Sequence, residues 1–139
     1  MIQRIQSLYL LIVTILQTIL FFSKQATFIN MEGLEEPLRI AKMWPMAILI
    51  GVTVLLAFIT IFLYYHRITQ IRLTIFNGLL LVMLQAVIVY LLIRASGITQ
   101  EVNYSLNAIF PIISTVLCYL AIRGIGKDEA MIRALDRLR

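Results

Sequence analysis

The chain has 139 residues, 61% of them hydrophobic and only 14% charged, with a mean hydropathy of +0.95 and a formal charge of +5. Typical globular proteins carry about 25% charged residues, so an ordinary soluble domain is excluded. One cysteine, Cys118, excludes an intramolecular disulfide and reads as a small buried apolar side chain.

The apolar residues are clumped into four stretches, taken here in chain order. The first span is expected over 5–22. Only Arg4 precedes it as a basic residue, its apolar run is long for a signal peptide, and FFSKQATF offers no small-x-small cleavage site. It is therefore read as an uncleaved anchor. The loop 23–43 follows and is too short for a domain. An irregular loop is the first reading; a small hairpin of ATFIN and PLRIA turning at Gly33 is the second. A second span is expected over 44–65, with Trp44 at one end and Tyr64 and Tyr65 at the other, as in the aromatic belts of membrane interfaces. The linker YYHRITQIRL carries Arg67 and Arg72 and no acid, and is tight enough to make spans two and three an antiparallel hairpin.

Span three is expected over 73–93, followed by a plain connector around SGITQEVN, and span four over 105–122. At 1.5 Å per residue each span is roughly 27–33 Å long, enough to cross a hydrocarbon core of about 30 Å. The runs lack the alternation of barrel strands, and lipid otherwise admits only helices. The fold class is all-α: an integral membrane four-helix bundle in one domain, 1–139. Pro111 falls near the middle of span four and is expected to kink it, with Ser114 and Thr115 placed to manage the kink. Gly124 and Gly126 are expected to interrupt the helix. A short separate tail helix then follows in KDEAMIRALDRLR.

That tail is amphipathic. Met131, Ala134, Leu135 and Leu138 share one stripe, opposite Glu129, Arg133, Asp136 and Arg137. Glu129–Arg133 and Arg133–Asp136 are spaced as ion pairs, and the acidic start and basic end suit the helix dipole. Isolated helices shorter than about 12–15 residues are marginal in water, so the stripe needs cover: the membrane interface, the bundle itself or a partner protein.

Charge sets the expected topology. Arg4, the linker and the tail hold eight of the twelve basic residues against three acids, whereas the opposite loops balance four against four. The positive-inside rule then puts both termini in the cytoplasm. It also explains the excess charge as a topology signal and a contact for anionic lipid headgroups, so no nucleic-acid partner is inferred.

No Asp, Glu, Lys, Arg or His lies within an expected span. Such residues mark proton relays and ion paths, so a proton-coupled exporter built on a membrane carboxylate is disfavoured. The intramembrane polar residues are neutral. Gln17, Thr53 and Gln85 each lie twelve residues from the same membrane boundary, about 18 Å in depth. They are read as interhelical hydrogen-bonding groups, with a small polar binding pocket as the alternative. The lone His66 reads as an interfacial residue, and one His with one Cys cannot fill a zinc site of four ligands. The segment GIG lacks the strand and lysine of a nucleotide loop. No catalytic residue, metal or cofactor is assigned, and the chain is not read as an enzyme.

The two ends, MIQRIQSLYLLI and KDEAMIRALDRLR, resemble the small four-span inner-membrane proteins of Bacteroidota filed as domain of unknown function 4293. Ala134 stands where that pattern has a serine. The resemblance implies a bacterial inner-membrane location and supplies no activity, substrate or catalytic residue. It singles out Gln3, Arg4, Asp136 and Arg137 and suggests that the N-terminus packs on the tail, with Arg4 facing Asp136 or Asp128.

The expected function is a non-enzymatic accessory or assembly protein. Its interaction face is basic and cytoplasmic: Arg4, Arg67, Arg72, Arg133, Asp136 and Arg137. A membrane-protein partner through the C-terminal helix, or a homo-oligomer, fits this reading. The alternative is a small oligomeric transporter or lipid-handling protein working around the Gln17, Thr53 and Gln85 layer and the Pro111 kink.

Overall fold

The computed structural model describes residues 3–29, 32–39, 42–63, 65–97 and 101–139, leaving aside the side chains of residues 3, 4, 101 and 102. Four helices dominate: α1 (Gln3–Phe22), α2 (Trp44–Phe62), α3 (Arg67–Ser96) and α4 (Phe110–Arg137). All four are long and apolar enough to cross a membrane. α1 and α3 each pack against α2 and α4, giving a square bundle.

The core is mixed, with polar side chains buried among apolar ones, and the outside of the bundle is apolar. Gln17, Thr53, Thr60, Thr74, Asn77 and Ser114 are fully buried, while Leu8, Ile48, Leu55, Phe58, Leu79 and Val116 lie about half exposed on the outside. A soluble protein would not leave so much apolar surface uncovered; in hydrocarbon the arrangement costs nothing. Apolar side chains still make up most of the interior, with Leu20, Ile50, Leu84 and Ile88 towards one end and Val13, Ala57, Leu81 and Cys118 near the middle. The buried threonine hydroxyls are satisfied locally. Thr60 donates to Leu56 O, Thr74 to Gln70 O at 2.7 Å and Thr53 to Ile50 O at 2.7 Å, each within its own helix.

Three expectations are corrected. First, loop 23–43 is a hairpin, not an irregular loop. Strands β1 (Ala26–Ile29) and β2 (Glu35–Leu38) pair antiparallel, Ala26 opposite Leu38, and Gly33 adopts φ +73° in the turn, a left-handed conformation that glycine takes without steric cost. Second, the connector before α4 is not plain. Its strand β3 (Glu101–Tyr104) pairs with the other side of β1, making a three-stranded sheet in the order β2-β1-β3.

Third, Pro111 does not kink the middle of a helix. Span four begins as a 3-10 turn, Leu106–Ile109, and Pro111 sits in the first turn of α4, where its missing N–H would be unpaired in any case. Ser114 and Thr115 are therefore not kink managers. Thr115 Oγ1 donates to Pro111 O at 2.8 Å, and Ser114 serves α1.

The C-terminal segment is helical as expected, but it is not a separate helix. α4 runs 28 residues without a break through Gly124 and Gly126, about 42 Å. α3 likewise starts at Arg67, so the linker arginines Arg67 and Arg72 belong to its first turns.

Candidate functional site

Two groupings emerge from the side chains, one in the middle of the bundle and one at the end bearing the termini. In the middle, Gln17 on α1 donates through Nε2 to Ser114 Oγ on α4 at 2.8 Å, and both residues are wholly buried. Such an intramembrane bond is worth roughly 0.6 kcal/mol. The three expected members of the layer behave differently. Gln17 bridges helices, Thr53 bonds its own backbone, and the half-buried Gln85 leaves Oε1 buried and unpartnered. Gln17 Oε1 is unpartnered as well.

The residue sequence reasoning missed is Asn77. It is fully buried on α3, with neither Nδ2 nor Oδ1 hydrogen-bonded among the described residues. An asparagine offers two donors and an acceptor, and leaving a buried polar group unpaired typically costs about 1–3 kcal/mol. The signal was visible: Asn77-Gly78 interrupts an otherwise apolar run, TIFNGLLL.

At the other grouping the chain ends meet. Gln6 Nε2 donates to Asp128 Oδ2 at 2.6 Å, tying the start of α1 to α4. Gly124 makes the approach possible, since a Cβ there would lie 3.1 Å from Gln6 Cγ. The expected pairing of Arg4 with Asp136 or Asp128 falls on a side chain outside the described residues; Asp128 takes its bond from Gln6. Tyr64 also lies outside them. Gln70 Nε2 reaches Thr60 O at 3.2 Å, closing the α2–α3 hairpin at the same end.

Of the expected interaction face, Arg133 pairs with Glu129 at 3.0 Å, while Asp136 makes no ion pair among the described residues. Being largely solvated, the Arg133–Glu129 pair adds little to stability. Arg67 lies across a groove from Glu129 and Ile132, so the linker and the end of α4 are brought together. Arg133 and Arg137 line a neighbouring shallow recess with Ala130, Ala134 and Leu138, and Arg72 is exposed on α3.

Every residue from Ala130 to Arg139 is exposed. Met131 is 57%, Leu135 60% and Leu138 85% accessible, so the bundle does not cover the apolar stripe. The stripe lies on the unbroken continuation of the fourth span. Among the described residues, no three His, Cys, Asp or Glu side chains gather as a metal site.

Neither a curated protein nor a solved structure matches the chain. A family model, domain of unknown function DUF4293, matches residues 2–138, and the chain belongs to that family.

Proposed function

We propose that this is an accessory protein of a bacterial inner membrane that holds a protein partner through the projecting end of α4. The observation that supports this most is the unbroken α4. A 28-residue helix that leaves its bundle with Met131, Leu135 and Leu138 uncovered carries a binding stripe on a rigid arm. Helices with apolar residues at i, i+4 and i+7 are the usual currency of helix-in-groove recognition. The charge distribution supports a cytoplasmic location for both termini, and the partner would be met there. Arg67, Arg72, Arg133 and Arg137 give that face its basic rim.

The test uses the full chain and a variant ending at Ala130, which keeps Gly124, Asp128 and their contact with Gln6. Both are crosslinked in cells and purified in mild detergent. A defined protein recovered with the full chain and lost from the shortened one is the expected result. Recovery of the same proteins with both chains overturns the reading.

The unpartnered amides favour a second reading, a small transporter of a neutral polar solute. If Asn77 and Gln17 serve only packing, Asn77→Leu should raise thermal stability in detergent by about 1 kcal/mol, since an unpaired buried amide is removed. A fall in stability would mean that a bound polar species is being lost.

A further inference from the structure

The groove between the start of α3 and the side of α4 has chemistry of its own. It is an open recess of about 460 Å³, lined by Tyr65, His66, Arg67, Ile68 and Thr69 on one side and by Glu129 and Ile132 on the other. Arg67 is half-buried, its Nη1 is buried without a hydrogen-bond partner, and no carboxylate among the described residues pairs with it. The one acid in the wall, Glu129, is held by Arg133 at 3.0 Å. An arginine brought into a groove and left unpaired is a costly arrangement unless an anion completes it.

The remaining walls agree with an anion. α3 opens with no acid in its first turn and no side-chain cap, so its first backbone N–H groups, at Arg67, Ile68 and Thr69, have no helical acceptor and add a positive field. The Thr69 hydroxyl supplies a further donor. The groove is also amphipathic: Ile68 is 51% and Ile132 39% accessible. It lies about one and a half turns before Leu73, where the apolar run of α3 begins, at the depth where headgroups meet hydrocarbon.

We infer that this groove binds the phosphate of one anionic phospholipid. Arg67 and the first N–H groups of α3 take the phosphate oxygens, while Ile68 and Ile132 take the glycerol and first acyl carbons. The inference is independent of any partner on the α4 stripe, and it narrows the general attraction of a basic surface for anionic lipid to one site with one arginine.

The full chain in neutral detergent is titrated with short-chain phosphatidylglycerol, with short-chain phosphatidylcholine and with inorganic phosphate. Retained lipid is counted by native mass spectrometry, and the thermal midpoint is followed. The expected result is one retained phosphatidylglycerol that raises the midpoint, with phosphatidylcholine and inorganic phosphate doing neither at matched concentration. Arg67→Gln should weaken phosphatidylglycerol binding about tenfold or more, as loss of a charge-assisted contact does. Arg94→Gln, at the opposite end of α3, should leave it unchanged.

A second variant guards against misfolding of the first. Thr69→Glu puts an acid in the first turn of α3, which suits the helix, yet it should abolish lipid retention. Equal binding of phosphatidylcholine, full binding by both variants, or equal effect of inorganic phosphate would each overturn the proposal, the last by making this a site for free phosphate.

Discussion

The two ends of the bundle are finished in opposite ways. At the end away from the termini, both loops fold onto each other as a three-stranded sheet. Gln25 is the pin. It is completely buried, its Nε2 donates to Leu20 O at 2.9 Å, its N–H bonds Leu38 O at 3.0 Å, and its carbonyl receives Ser105 N–H at 2.9 Å. At the end bearing the termini, short contacts such as Gln6–Asp128 and Gln70–Thr60 close the helices, and α4 then runs on alone. A loop whose backbone groups are paired gives a shape; a bare helix with an apolar stripe gives a surface. The first finish suits a fixed cap and the second suits an interaction.

This contrast can be broken by substitution. The largest effect is expected at Gly124, where even a Cβ would press on Gln6 Cγ at 3.1 Å. Gly124→Leu should cost about 2–3 kcal/mol through overpacking and loss of the Gln6–Asp128 bond, read as a lowered thermal midpoint in detergent. An unchanged midpoint would mean that α1 and α4 are not closely apposed here. At the sheet end, Gln25→Leu should cost about 1 kcal/mol, because Leu20 O loses the shorter of its two hydrogen bonds in a buried site and keeps only Ser23 N–H at 3.3 Å. The same measurement checks it, and cleavage by added protease should then rise within residues 23–43. The smallest effect is expected at Gly126, which has open space around its Cα. Gly126→Ala should stabilise α4 by up to about 1 kcal/mol, the helix-propensity difference. If Gly126→Ala were as harmful as Gly124→Leu, this part of α4 would be bent or covered rather than a straight solvated helix.

Helices of membrane-spanning length were legible in the chain because a run of about twenty apolar residues leaves few alternatives in lipid. Where the runs met polar sequence, reading failed in both directions. Gly124 and Gly126 looked like a break, yet α4 carries helical bonds through them. Contact with α1 and flanking helix formers outweigh a propensity penalty of about 1 kcal/mol per glycine. Pro111 looked internal because the apolar run begins at Ser105, but the chain spends Leu106–Ile109 in a tighter turn and places the proline where helices accept it. The sheet was hardest to foresee. Its central strand pairs with a segment beyond α3, and no local pattern encodes a partner that distant. In the interior, depth singles out Gln17, whereas Ser114 reads as a partner of the Pro111 kink and Asn77 carries no charge to mark it among neutral residues.

The order of strands in the sheet also bears on how the protein is made. A chain threaded into the membrane from its N-terminus presents β1 and β2 as soon as α1 and α2 are in place, and that hairpin can close at once. β3 follows only after the thirty residues of α3. Its pairing with β1 is thus a late latch, joining the first helical hairpin to the second. Until it closes, one side of β1 is an open edge.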